Sequence, residues 1–286
     1  MSLLATDERN ADQVAYWNGP PGERWRARQQ DQDTLLAPVT DVLLQRAAPA
    51  AGERALDIGC GCGTTSIELA RRVMPGGRVV GVDISAPMLQ RAGERAPADL
   101  PVDFIMADAT AYRFDPAAAD LLFSRFGVMF FAEPQKSFAN MRRGLRRGAR
   151  LAFACWREPR KNPWLMLPLE EACRHVPRPP APGPEEPGPF AFADERRVRG
   201  ILDQAGFREV RLEPVDLALD IGVGRGLEAA VETVTGMGPA SRALEGQPPD
   251  LRTAAAQSIR AALARFQVGN TVALPGAVWI VSAMSA

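Results

Sequence analysis

ALDIGCGCGTTSIELA, residues 55–70, is the stretch that decides the fold. A short apolar run ends at Ile58, glycines follow at 59, 61 and 63, and a helix-forming segment opens at Thr64. Glycine tolerates positive φ and lets a ligand approach the backbone with no Cβ in the way. The start of a helix then offers free N–H groups to an anionic or carbonyl group. Working outward, apolar runs at about 54–58, 78–82, 102–106, 120–124 and 149–156 alternate with helical segments at about 64–73, 86–95 and 134–146. Near-continuous apolar strands separated by helices predict a parallel sheet covered on both faces, a doubly wound α/β domain.

Three acids follow three successive strands. Asp57 stands two residues before the first glycine, where it can meet a cationic amine or organise the turn. Asp83 ends the second strand in VVGVDIS, where an acid can take both hydroxyls of an adenosine ribose. Asp108 follows the third strand in IMADATAY, near the place of an adenine if Asp83 holds its ribose, or as a helix cap. Ligands of open α/β sheets bind at that carboxyl edge. A dinucleotide fingerprint needs a small residue three positions after the second glycine, and Thr64 stands there instead. No Gly-Lys-Ser/Thr follows, so the turn is not a P-loop.

LDIGCGCG, VDIS, ADAT and the strand carrying SRFGVMFF together resemble the class I S-adenosylmethionine (SAM)-dependent methyltransferases. Within them, the chain is similar to the branch of ubiquinone and menaquinone biosynthesis methyltransferases. The matching motifs span about residues 54–156. The resemblance implies a Rossmann-like, seven-stranded, mostly parallel sheet with helices on both faces and a helical lid. It implies SAM as cofactor and S-adenosylhomocysteine (SAH) as product. Asp57 and the turn Gly59, Cys60, Gly61 and Gly63 would hold the methionine moiety. Asp83 would hold the ribose, Ile84 and Met88 would flank the adenine, and Asp108 with Ala109 would meet its edge. Ser124 and Arg125 would line the methyl-donor side.

The rest of the chain decorates that core of residues 51–156. Residues 1–50 read as a helical cap over the site, with YWNGPPGERWRARQQDQD from Tyr16 to Asp33. Tyr16, Trp17 and Trp25 sit there without periodicity, so they are expected to close over cofactor and substrate, with Phe126 and Phe130 as substrate wall or core. Residues 157–190, proline-rich from Arg178, read as an irregular crossing. Residues 191–286 complete the sheet, with a helical lid inserted at about 226–267 and broken at Gly236, Gly238 and Pro248-Pro249.

Composition excludes little and favours the ordinary. Of 286 residues 46% are hydrophobic, and 34 basic residues balance 34 acidic ones, so no global field favours nucleic acid. The expected partner is a small-molecule methyl acceptor, to monomer or homodimer, with no nucleic acid. MSLLATDERNADQ shows no secretory pattern and no run reaches about 18 apolar residues, so a cytoplasmic protein without a membrane span is expected. Cys60 and Cys62 lack the further ligands that a metal needs, and the lone His175 reads as a surface residue. No residue is nominated as catalytic base. The competing functions are a non-catalytic SAM/SAH-binding regulator or partner subunit, and a nicotinamide oxidoreductase on the same fold class.

Overall fold

The centre of the sheet is β1 (Arg54–Ile58), which pairs in parallel with β2 (Arg78–Asp83) on one side and β4 (Ala119–Arg125) on the other. The computed structural model describes residues 6–180, 183 and 185–286. β3 (Val102–Met106) closes one edge beside β2, and β5 (Leu145–Trp156) continues from β4. The long β8 (Thr271–Ser285) then pairs antiparallel with both β5 and β6 (Phe207–Asp220). The order is β3-β2-β1-β4-β5-β8-β6, with a two-residue β7 (Gln267–Val268) hairpinned onto β8 outside it. Chain direction of connection reverses between β1 and β4, which opens a cleft at their carboxyl ends.

Burial explains the strands. β4 is buried along almost its whole length, with Leu121, Leu122 and Phe123 inaccessible, as a central parallel strand covered on both faces requires. The helices α4 (Thr64–Val73) and α5 (Ala86–Arg95) present apolar stripes to β1–β3, and α6 (Pro134–Arg143) and α8 (Glu195–Gln204) pack beside one another near β5 and β6. Before the sheet come α1 (Ala11–Asn18), α2 (Pro20–Ala27) and the longer α3 (Gln29–Ala47). Leu35, Leu36, Val39, Leu43 and Leu44 of α3 are buried, and that helix lies against β5, β6 and β8. Between β6 and β8 stand α9 (Leu227–Gly236), α10 (Gly238–Leu244) and α11 (Pro249–Leu263), broken at the glycines and prolines that punctuate the sequence.

Two expectations shift. The helix expected over 134–146 ends at Arg143, because Gly144 turns the chain and β5 begins at Leu145, four residues earlier than expected. The proline-rich crossing is helical at its start: α7 (Pro163–Ala172) precedes the true proline run, with Pro163 in its first turn where no N–H is needed. Ala181, Pro182 and Pro184 of that run, and residues 1–5 of the cap, lie outside the described residues. No helix among the described residues is long and apolar enough to cross a membrane.

Asn162 joins α7 to the sheet. Fully buried, its Nδ2 donates to the carbonyls of Arg157 (3.1 Å), Glu158 (3.3 Å) and Ala277 (3.2 Å), and its Oδ1 accepts from the Ala277 amide at 2.9 Å. The amide side chain thus prolongs the β5–β8 pairing past Trp156. Asn162→Ala leaves these buried groups unpaired and should cost about 2–3 kcal/mol. A melting curve should show the midpoint roughly 4–10 °C lower; an unchanged midpoint would contradict this role.

Candidate active site

The carboxyl ends of β1, β2 and β4 frame a cavity of about 200 Å³, roofed by α1–α3 and by the start of α10. The glycine turn forms its floor. Gly59 and Cys60 both donate backbone amides to the Val82 carbonyl, at 2.8 and 3.3 Å, so the turn is fastened to β2. The turn's glycines differ in role. Gly59 (φ +67°) lies so close to the backbone of Gly127 that a Cβ would come within 2.6 Å of the Gly127 Cα. Gly61 (φ +54°) faces the cavity, and a Cβ there would meet nothing nearer than the Met88 sulfur at 3.8 Å. It forms a cradle that a side chain would fill.

Asp57 has no exposed surface and lies behind the cavity wall rather than in it, beneath Ile58 and Thr65, which do line the cavity. Its Oδ2 accepts from the hydroxyls of Thr65 and Ser66, both at 2.6 Å, and so binds the start of α4 to β1. Its Oδ1 is buried without a partner. Burial pushes its carboxyl up to about 6, against the pull of the Ser66 and Thr65 hydroxyls and the charge of Arg125. Such a half-satisfied acid favours a cation above the turn.

The consequence is a pH dependence with a definite sign. The raised value means that the empty site favours the protonated acid, a stability contribution lost as pH rises through about 6. A cationic ligand favours the ionised acid, so binding in acid must expel the proton. Affinity for SAM should therefore be flat above about pH 7 and fall up to about tenfold per unit below 6. Calorimetric titration at pH 5, 6, 7 and 8 tests this. Asp57→Asn should flatten the profile, and a profile equally steep in that variant would contradict the assignment.

Asp83, the last residue of β2, lines the cavity. Its Oδ2 accepts from the Gly61 amide at 2.7 Å and its Oδ1 from the Ser85 amide at 2.9 Å, so one carboxylate holds both loops of the floor. Burial pushes its carboxyl up, and the amides of Ser85, Gly61 and Ile84 pull it back. Asp108 lines the cavity too, but its carboxylate is already engaged. Asn10 Nδ2 donates to both oxygens at 2.9 Å, the Asp7 amide to Oδ2 at 2.9 Å, and the Thr110 amide to Oδ1 at 2.8 Å. The acid expected at the adenine edge holds the N-terminal segment, and the side chain of Asn10 stands beside it in the wall.

Cys60, Ile84, Met88, Ala109 and Arg125 join the wall as well. Gly63 and Ser124 do not: Ser124 is buried and donates to the Ile58 carbonyl at 2.7 Å, tying β4 to β1. Of the aromatics, Trp17, Trp25, Phe126 and Phe130 line the cavity. Trp17 packs edge-on to Phe130 (5.2 Å) and Trp25 (5.9 Å). Phe126, held at φ +67°, stacks on Trp156 at 4.2 Å. Tyr16 stands outside the wall, under the Arg242 guanidinium (4.9 Å from the ring), where it ties the cap to α10. Burial pushes the Cys62 thiol up to about 12 and the Cys60 thiol up as well, so neither offers a thiolate near neutrality.

Several wall residues were not legible. Gln29 and Asp33 of α3 face the cavity, Asp33 accepting from Thr64 Oγ1 (2.6 Å) and Arg95 (2.9 Å). Their i, i+4 spacing on an otherwise buried helix face was the available signal. Trp156 read as strand core and Trp164 fell in the stretch read as an irregular crossing, so neither carried a signal.

Residues 55–148 match a family model described as a methyltransferase domain. Demethylmenaquinone methyltransferase of Clavibacter sepedonicus is 36% identical over 132 residues, which cover 44% of this chain and 53% of that protein. The chain spans about half the length of the curated relatives it matches. Among solved structures, a protein of Anabaena variabilis described as a methyltransferase from an antibiotic biosynthesis pathway aligns at a TM-score of 0.61 and 16% identity, over 87% of this chain and 98% of that one. Phosphoethanolamine N-methyltransferase 2 of Haemonchus contortus, in complex with phosphomonomethylethanolamine and SAH, aligns at 0.52 and 19% identity, over 87% and 52%. At these identities the structural likeness speaks for the fold.

Proposed function

We propose that this protein, a class I SAM-dependent methyltransferase resembling the menaquinone-biosynthesis branch, transfers a methyl group to a small-molecule acceptor by direct in-line displacement. The observation that carries the reading is the cradle at Gly61: its amide is held by Asp83, and the space where a Cβ would stand opens into the cavity. The buried, unpartnered Oδ1 of Asp57 beneath the turn suits a cationic ligand rather than a pyrophosphate. SAM, when bound, supplies a methyl carbon on a positively charged sulfur.

The chain's own residues then bind and position. The turn of Gly59, Cys60 and Gly61, with Asp57 behind it, would hold the methionine end. Asp83 would take the ribose, with Ile84 and Met88 against the base and Asp108 acting through Asn10 and Ala109. Trp17, Trp25, Phe126 and Phe130 would exclude water and orient the acceptor, an apolar setting that suits a reaction in which charge is lost. Positioning alone is worth about 7–11 kcal/mol in well-aligned intramolecular reactions, so no covalent intermediate is needed. A roofed cavity of about 200 Å³ favours a small acceptor over a polymer.

The test is incubation with methyl-labelled SAM and a panel of phenols, enols, carboxylic acids and amines. Label in an organic-soluble product, with SAH formed in equal amount, supports the reading. Tight SAH binding with no product across the panel would favour a non-catalytic SAM-binding subunit.

A further inference from the structure

Arg125 is the one cation among the described residues that line the cavity. It ends β4, just after the pinned Ser124 and just before Phe126. Its guanidinium carries five N–H donors, and among the described residues it donates one hydrogen bond, from Nη1 to Thr40 Oγ1 at 2.7 Å. The nearest carboxylate, Asp33, stands 4.0 Å away and is already taken by Thr64, Arg95 and Gln29. The side chain keeps only 13% of its surface exposed. Burial works against its charge, while Asp33 of α3, Asp57 of β1 and the Cys62 thiol of the turn favour it and Arg95 of α5 opposes it. A buried cation with donors to spare calls for an anion.

We infer that Arg125 anchors an anionic oxygen of the methyl acceptor, so that the acceptors are acidic hydroxyl or carboxyl compounds with a flat apolar body. This rests on the methyltransferase reading and narrows its substrate class. Phe126 and Trp156, stacked next to Arg125 in the same wall, supply the flat apolar surface. Thr64 and Thr65, which line the cavity at the start of α4 where first-turn N–H groups lack helical partners, would take the cofactor's own carboxylate.

The anchor also answers the want of a base. Asp33, Asp83 and Asp108 in the wall all accept hydrogen bonds already, and the lone His175 is not among the lining residues. An acidic O–H needs none: on binding, its proton leaves to water, the oxyanion pairs with Arg125, and the guanidinium stays protonated throughout. The lone pair that forms the new O–C bond is thereby free. The methylated product is a neutral ether or ester, which no longer pairs with Arg125 and leaves more readily.

The test uses 4-nitrophenol, whose anion and neutral form absorb differently, titrated against pH on SAH-saturated protein. The bound phenol should ionise at least one unit below the free phenol, a tenfold preference for the anion. Arg125→Met should abolish the shift, Arg125→Lys should retain part of it, and SAH affinity should change less than threefold in Arg125→Met. On wild type alone, 1-naphthoate should bind at least tenfold more tightly than 1-naphthylmethanol. An equal shift in Arg125→Met, no phenol bound by the SAH complex, or no preference for the naphthoate would overturn the inference. A thirtyfold loss of SAH affinity in Arg125→Met would also overturn it, giving the guanidinium to the cofactor's carboxylate. Wild type that binds no SAH would strike the methyltransferase reading itself.

Discussion

Asp83→Ala should lower SAM affinity by a hundredfold or more, about 2.7 kcal/mol. The carboxylate does two things at once. It accepts the amides of Gly61 and Ser85, so its loss strands two amides in a largely buried floor, each at about 1–3 kcal/mol. It also presents the charged acceptor expected at the ribose, and hydrogen bonds to charged groups are worth about 1.5–3 kcal/mol each. Asp83→Asn separates the two, because its amide oxygen can still accept from one loop while the charge is gone. Calorimetry should show the alanine variant weakest and the asparagine variant between it and wild type. SAM affinity within threefold of wild type in both would mean that Asp83 is a structural residue and the ribose lies elsewhere.

Gly59→Ala should badly damage the fold of the site. Two costs coincide. The residue sits at φ +67°, a conformation that non-glycine residues adopt at about 1–3 kcal/mol. The added Cβ would press on the Gly127 backbone at 2.6 Å, where no flexible side chain can give way; overpacking of this kind costs a further 1–3 kcal/mol or so. The midpoint of thermal unfolding should fall by roughly 8 °C or more. Gly127→Ala should behave alike, since its Cβ would meet the Ile58 carbonyl oxygen at 2.6 Å and the Gly59 Cα at 2.7 Å. Combining the two should cost less than the sum, because both strike one contact. A wild-type melting curve for Gly59→Ala would mean that the glycine is there for the ligand alone.

That pair shows where reading the sequence stops. Strand, turn and helix around Ile58–Thr64 were legible because each rests on neighbours within a few residues: an apolar run, glycines that permit positive φ, a helix start. The parallel sheet was legible for the same reason, as a rhythm of apolar runs. What Gly59 touches is Gly127, 68 residues along, and no local pattern announces it. Asp108 lies in the cavity wall, yet Asn10 and Asp7 reach it across about a hundred residues and occupy its oxygens. Ser124 and Tyr16 were set near the site by their neighbours in sequence, but β4 alternates its faces, and Tyr16 turns outward to Arg242. Trp156 looked like core because a cavity wall and a core have the same composition, and Trp164 lay in a stretch whose prolines hid its helix. The helical start of the proline-rich crossing was hidden because α7 itself carries Pro163 in its first turn and Pro168 in its interior, residues that read as helix breakers.

The glycine turn should bind SAM. The most direct measurement is calorimetric titration of the purified protein with SAM, SAH and NAD in parallel. SAM and SAH should bind in the micromolar range with one site per chain, and NAD should give no heat. Silence for SAM, or binding of NAD in its place, would contradict it.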